Sequence, residues 1–328
     1  MDHLQDSVEA RTTRLAPSPT GDLHLGNVRT FLLNWSLARN LGWTVLLRHE
    51  DLDVKRASPE RIDLIERSMG RLGLDWDGRA VRQSDDLQPY LGAMDVLAKA
   101  GKVYRSTLSR RDVRDALNAP HAGGELRFPP ELRPANQSDW GFHGAEHGHR
   151  FAMPSGDETI DDRILGDRTF DPGREVGDPI VWTRDGRPAY QLAVVVDDLR
   201  HGITDVVRGE DLLSSAARQR VLTRAMERDR DTRWWHLPLV RDGDGRRLAK
   251  RDGDRGLAEY LSAGVPCDNI IGLLAYRSGL QETLRPMALD HFRRSIEPET
   301  LRSLARRERE QPCRLRDTDH DWLVSCRP

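Results

Sequence analysis

Short apolar or β-branched runs at residues 11–16 and at Thr44-Val-Leu-Leu-Arg-His49 read as strands. Between them apolar residues recur at helical spacing from Val28 to Leu41, and Gly42 ends the pattern. Strand, helix and strand in that order form a βαβ unit, which predicts a parallel sheet with crossover helices. Helical spacing returns at Pro59–Leu72 and Leu87–Ala100, each closed by a glycine, Gly73 and Gly101. From about Ser109 to Pro188 the periodicity fades while Pro, Gly and His accumulate, which predicts a loop-rich, mainly β insertion. The valine-dense stretch Tyr190–Asp198 and the segment Asp205-Val-Val-Arg-Gly-Glu-Asp211 then read as strands that resume the sheet. Residues 212–228 read as helix, and the chain after Lys250 as mainly helical. There are no internal repeats. The pattern divides the chain into residues 1–108 and 189–256 as two halves of one α/β domain, 109–188 as the insertion, and 257–328 as a helical module.

Chemistry enters at Arg14-Leu-Ala-Pro-Ser-Pro-Thr-Gly-Asp-Leu-His24-Leu-Gly-Asn27. Here a Pro/Gly-stiffened turn leads to a helix start near Val28. Free N–H groups at a helix N-terminus attract anions, glycine admits a ligand close to the backbone, and an imidazole can donate to phosphate. His24, Gly26 and Asn27 are therefore candidate phosphate-binding residues, although the triplet alone also fits an ordinary turn.

Composition narrows the classes. At 328 residues with 37% hydrophobic and 32% charged positions, the chain suits about two globular domains. No run of 18 apolar residues exists, the N-terminus lacks the features of a signal peptide, and three scattered cysteines make no disulfide framework. A cytoplasmic, membrane-free monomer is the expectation. A net charge of −2 gives no global field for nucleic acid, so RNA contact would need a local patch. The arginines at 293, 294, 302, 306, 307, 309, 314 and 316 read either as a solvated, partly frayed helical surface or as a phosphate-contacting face.

Only four of the 51 basic residues are lysine, and one of them, Lys250, follows a turn signal in Arg241-Asp-Gly-Asp-Gly-Arg-Arg-Leu-Ala-Lys-Arg-Asp-Gly253. As structure this is an exposed hairpin or loop. As chemistry it is a cationic arm that could stabilise charge growing on a phosphate.

Phosphate loop, interrupted sheet and late basic loop together resemble a class I aminoacyl-tRNA synthetase of the glutamyl type, over roughly residues 11–260. His24-Leu-Gly-Asn27 stands in place of the first signature and Arg247-Leu-Ala-Lys-Arg251 in place of the second. Arg14 opens the first strand, Arg48-His-Glu50-Asp-Leu-Asp closes the second, Tyr190 opens the third, and Arg208-Gly-Glu-Asp follows. Within that family the chain resembles the short glutamyl-queuosine tRNA(Asp) synthetases. Only 77 residues follow Arg251, too few for the helical anticodon-binding region of a full glutamyl enzyme.

The resemblance implies that L-glutamate attacks the α-phosphate of ATP, with Mg²⁺, and that the glutamyl group passes to queuosine at the wobble position of tRNA(Asp). It implies glutamate contacts from Arg14, Ala16, Ser18, Glu50, Tyr190 and Arg208. It implies ATP contacts from Pro17, His24, Gly26, Asn27, Arg247, Leu248, Ala249, Lys250 and Arg251. His24 and Lys250 are the expected catalytic pair. The residue types suit these roles, because guanidinium groups pair with carboxylates and the substrate ammonium needs an acceptor such as Glu50. No general base is needed, since a carboxylate is already a nucleophile.

The sequence also departs from the pattern. Arg247 replaces a usual lysine and Ala249 a usual serine, for which a modest rate effect is expected. Relatives often carry zinc in the insertion, on positions that match Ser106, Leu108, Phe128 and Leu132 here. None of these is a thiolate, so zinc is expected to be absent and a small hydrophobic cluster to take its place. His121, His143, His147 and His149 offer a rival zinc reading against one of plain loop histidines. Other functional readings are a truncated, tRNA-dependent glutamyl-tRNA synthetase, a catalytically silent tRNA-binding paralogue, and a small-molecule nucleotidyltransferase.

Overall fold

The opening βαβ unit is present in a computed structural model, which describes residues 10–108, 112–113, 127–228, 230–246, 248 and 255–326. Strand β1 (Thr12–Leu15) leads through a proline-rich loop to helix α1 (Leu25–Asn40), then to β2 (Thr44–His49), α2 (Pro59–Arg71), β3 (Val81–Arg82) and α3 (Gln88–Lys99). β1 pairs in parallel with β2, and β2 with β3. Helix α1 starts at Leu25 rather than near Val28, because His24 is its N-cap: the backbone is extended there and Nδ1 accepts the N–H of Asn27 at 3.2 Å. Gly26 and Asn27 thus lie inside the first helical turn.

In the middle of the chain, β4 (Val103–Arg105), β5 (His149–Phe151) and β8 (Ile180–Trp182) form an antiparallel sheet. Two further strands of the same interval, β6 (Glu158–Asp162) and β7 (Gly166–Phe170), leave that sheet: they pair with each other, and β6 pairs in parallel with β10 (Arg233–Leu237). A short helix, α4 (Pro172–Glu175), precedes β8. The expected hydrophobic cluster is present: Tyr104, Val113 and Phe128 are buried, with Leu108, Leu132 and Trp140 packed against them.

After β8 comes the main correction to the sequence reading. Tyr190–Arg200 is a helix, α5, and not a strand. Residues Gln191 through Asp197 are all buried, so this helix has no polar face to betray its period, and its valines mimic a strand. β9 (Asp205–Gly209), α6 (Leu213–Ala225) and β10 follow, with β9 and β10 parallel in full register. β9 also lies beside β1: Thr204 donates its N–H to Thr12 O and Thr12 donates to Thr204 Oγ1, both at 2.9 Å. At this seam the two halves of the sheet meet. Arg11 and Trp235 both donate to Asp205 there, and Arg11 stacks on Trp43.

Helices α7 (Leu257–Ser262), α8 (Cys267–Arg277), α9 (Leu289–Arg294), α10 (Pro298–Glu310) and α11 (Asp317–Ser325) complete the described chain. Their apolar faces share one continuous core with β1, α1 and β2, from Leu15 and Leu32 through Ile270 and Phe292 to Leu323. Of the C-terminal arginines, Arg293 and Arg294 pair with Asp290, and Arg302 and Arg306 with Glu299. Among the described residues no helix is long and apolar enough to cross a membrane.

Candidate functional site

Crevices at the C-terminal ends of parallel strands, where the strand order reverses, are where open α/β sheets bind ligands. The β1–β9 seam is such a point. Arg14, from the middle of β1, and Arg208, from β9, are both buried there. Arg48 of β2 and Glu50 just beyond it lie on one flank. Tyr190, at the first position of α5, stands at the mouth and is 38% exposed. Correcting this segment from strand to helix keeps Tyr190 in the cluster but changes what holds it.

Each charged group is tied. Asp198 of α5, which the sequence reading did not single out, accepts from Arg48 Nη1 at 2.6 Å and from Arg14 Nε at 3.3 Å. Arg48 Nη2 reaches Glu50 Oε1 at 3.3 Å, and Arg14 Nη1 reaches Val207 O at 3.4 Å. Burial opposes the Asp198 charge, yet Arg48 and Arg14 hold its carboxyl below the usual value. For Glu50 burial wins over Arg48 and Arg14 and pushes its carboxyl up. The Tyr190 phenol is raised by burial and by Glu50, so it remains a donor at neutral pH.

Arg208 is oriented by a second set of residues that no motif marked. Its Nε donates to His236 Nε2 at 3.0 Å, Nη1 to Gln219 Oε1 at 2.9 Å, and Nη2 to Leu212 O at 3.0 Å. The guanidinium lies over Trp234, 4.9 Å from the ring centroid. His236 Nδ1 meets Asp162 Oδ2 at 2.6 Å, and both side chains are fully buried. Since Nε2 accepts from arginine, Nδ1 carries the ring proton. Burial above all keeps this ring neutral, with a pKa of about 4.

The phosphate-loop side is assembled by contacts between distant segments. Nδ1 of His24 accepts the cap bond, which leaves Nε2 as the ring's N–H donor. A Cβ at Gly26 would come within 3.0 Å of that ring, so glycine lets the imidazole lie close over the helix start without adjustment. Pro17 O accepts from the Glu50 N–H at 3.0 Å, which fastens the loop carrying Ala16 and Ser18 to the end of β2. Asp22 accepts from Ala258 N at 2.9 Å, and Leu23 O from Leu257 N at 2.7 Å, which joins the first signature to the helix after the second. Leu248 donates its N–H to Val240 O at 3.0 Å. A cavity of about 270 Å³ opens there, lined by His24, Leu248, Arg255, Tyr260 and His320 among others. Arg247, Ala249, Lys250 and Arg251 lie outside the described residues. A larger cavity of about 400 Å³, between α5 and α6, shares Asp198 and Gln219 with the arginine cluster but not Arg14, Glu50 or Tyr190.

The four positions matched to zinc ligands carry no thiolate and are engaged otherwise. Leu108, Phe128 and Leu132 belong to the apolar cluster, and Ser106 accepts from Arg150 at 3.2 Å. His149 spends both ring nitrogens, on His143 N and His147 O, and stacks on the His143 ring. His121 lies outside the described residues. Among the described residues no group of three or more His, Cys, Asp or Glu is arranged to hold a metal ion.

Comparison with known proteins shows the family and the fold. The family described as tRNA synthetases class I (E and Q), catalytic domain, matches residues 11–292. Over 291 residues the chain is 40% identical to Glutamyl-Q tRNA(Asp) synthetase of Symbiobacterium thermophilum, covering 84% of this chain and 88% of that protein. It is 38% identical over 268 residues to Glutamate--tRNA ligase 1 of Dinoroseobacter shibae, covering 80% of this chain and 55% of that one. The fold is that of a glutamate-tRNA synthetase structure from Elizabethkingia anophelis, with a TM-score of 0.76 at 22% identity over 96% of this chain and 70% of that one.

Proposed function

Since the chain belongs to the class I tRNA synthetases of the E and Q type, and is thus a ligase of the aminoacyl-tRNA synthetase kind, we propose that it activates L-glutamate with ATP and transfers it to queuosine at the wobble position of tRNA(Asp). The observation that carries the amino-acid assignment is the seam cluster. Arg14 and Arg208 bring two guanidinium groups to one crevice, beside the Glu50 carboxylate and the Tyr190 phenol. Glutamate bears two carboxylates and one ammonium, and so complements it.

In this reading Arg14 and Arg208 hold the substrate carboxylates, Glu50 accepts from the ammonium and Tyr190 closes the mouth. A carboxylate oxygen of glutamate attacks the α-phosphorus of ATP. The bond to the bridging oxygen breaks and pyrophosphate leaves. His24 Nε2 and the amides of the first turn of α1 hold phosphate oxygens, and Lys250 is assigned the charge that grows at the α-phosphorus. Mg²⁺ accompanies ATP, with no protein ligand assigned. A nucleophile on the tRNA then attacks the mixed-anhydride carbonyl and AMP leaves. Positioning and electrostatics supply the acceleration.

ATP–pyrophosphate exchange tests the first step. Glutamate-dependent exchange without tRNA is the expected result, and no exchange under any condition would sink the enzyme reading. Labelled glutamate should then load tRNA(Asp) that contains queuosine and spare the same tRNA without it. The 38% identity to the Dinoroseobacter ligase favours a second reading, a tRNA-dependent glutamyl-tRNA synthetase. Exchange that appears only with tRNA present would select it.

A further inference from the structure

The cavity of about 400 Å³ between α5 and α6 has no part in the proposed chemistry. Ile203 and Thr232, which precede β9 and β10, both line it, so it lies at the N-terminal ends of these strands. Tyr190 stands at the other end of α5, about 12 Å of helix from Asp198. The exposed residues of the lining, Arg220, Arg224 and Asp231, are at the far end as well, so the cavity opens away from the mouth at Tyr190. Its inner wall is shared with the arginine cluster. Asp198 accepts from Arg14 and Arg48, Gln219 accepts from Arg208, and the Trp234 ring lies under the Arg208 guanidinium. The residues that hold the two substrate arginines are thus also the wall of a second space.

That space has apolar sides and one cationic edge on offer. Val194, Leu199, Ile203 and Trp234 supply the apolar part. Arg220 and Arg224 are both paired with Glu158, and Asp198 with Arg14 and Arg48. Asp231 is turned to solvent. Arg230 differs from these. It is half-buried, its Nη1 donates to Asp198 O at 3.4 Å, and Nε and Nη2 donate to nothing among the described residues. Nε and Nη2 form the side edge of a guanidinium, which matches the two oxygens of a carboxylate. Apolar walls with a few placed polar groups are the usual make-up of a small-molecule site of this size.

We propose that this cavity is a second ligand site, which takes a small monocarboxylate with an aliphatic or aromatic body, and that its occupancy tightens glutamate binding. The coupling rests on the glutamate-activation reading above, whereas the site does not. The carboxylate pairs with Arg230. The body packs on Ile203 and Trp234, against Asp198 and Gln219 in the arrangement that holds Arg14 and Arg208. A ligand that fits one arrangement of a wall favours that arrangement. By linkage, glutamate tightens the second ligand by the same factor.

The probe is 3-phenylpropionate, with 3-phenylpropionamide as its uncharged control. Calorimetry on the full chain should show one equivalent of the acid bound, and the amide about tenfold weaker or more, the loss of a hydrogen bond to a charged group. Arg230→Gln should weaken the acid to the same extent and leave ATP–pyrophosphate exchange without the acid unchanged. Thr223→Trp, which fills the cavity from α6, should abolish binding of the acid. With saturating acid, the wild-type KM for glutamate should fall about fivefold or more, and that of Arg230→Gln should stay fixed. No binding, or binding equal in wild type and both variants, overturns the site. A competitive rise in the glutamate KM puts the acid in the glutamate crevice and overturns it too. If one variant does not fold, the other and the amide decide. Binding that depends on Arg230 while the wild-type glutamate KM does not move overturns the coupling. A protein that binds the acid through Arg230 but neither exchanges with glutamate nor binds it sinks the activation reading and leaves the site standing.

Discussion

Glu50 carries the clearest consequence at the scale of single residues. Its Oε1 is taken by Arg48, and Oε2 has no partner among the described residues. Burial lifts its carboxyl above the ordinary value, and an incoming ammonium would lower it again. Only the ionised form accepts from an ammonium. Hence the KM for glutamate should climb as pH falls through the raised pKa of Glu50, while Glu50→Gln should show a high, flat KM over the same range. An exchange assay at several pH values reads both. His236 supports a second prediction. Removing it in His236→Ala leaves the Arg208 Nε–H without its acceptor, and Asp162 without the ring that covers it. The KM for glutamate should rise about tenfold, the equivalent of a hydrogen bond to a charged group. KM for ATP should be unaffected. Arg14, Glu50, Tyr190 and Arg208 were legible in the sequence because each sits in a recognisable motif. Asp198, His236, Asp162 and Gln219 were not. Their roles exist only through partners 150, 28, 74 and 11 positions away, and no local pattern records such pairings.

Elements show the same contrast between local and remote causes. β2 was readable to the residue, and α2 and α3 nearly so, because periodicity, Pro at the start and Gly at the end are local signals. α1 was placed three residues late. An imidazole that caps through Nδ1 is absent from the common list of N-cap residues, so the start signal was missed. α5 was misread outright. A helix buried on every side loses its amphipathic stripe, and the packing that buries it comes from α3, α6 and β8. Division of the middle interval between two sheets was equally hidden, since the pairing of β6 with β10 is a contact across 72 positions, Asp162 with Trp234. The start of α1 yields a third prediction. Gly26→Ala must displace the His24 ring by a few tenths of an ångström, which moves the phosphate donor without disturbing the core. The exchange rate should fall about tenfold, with the unfolding midpoint in urea nearly unchanged.

The molecule as a whole is held around α1 by one buried pair. Arg29 donates to Ser278 Oγ, Pro238 O and Glu308, and so links α1, α8, the end of β10 and α10. Burial outweighs Arg29 and lifts the Glu308 carboxyl to about 7, and its Oε2 has no partner among the described residues. A carboxyl whose pKa is higher folded than unfolded binds more protons in the native state between those values. Stability should therefore decline as pH rises from about 4.5 to about 7, by roughly 3 kcal/mol. Glu308→Gln should flatten that slope, as urea unfolding at pH 5 and pH 7.5 would show. The seam described above has a consequence of another kind. Arg14 and Asp198 are 184 positions apart, and Thr12 and Thr204 are 192 apart. Loop closure over such distances is slow and comes before the contacts that reward it. A chain emerging during synthesis holds Arg14 and Arg48 long before their shared carboxylate exists. Competence to bind an amino acid is then a late event in folding, and its onset in a refolding experiment would time the joining of the two half-sheets.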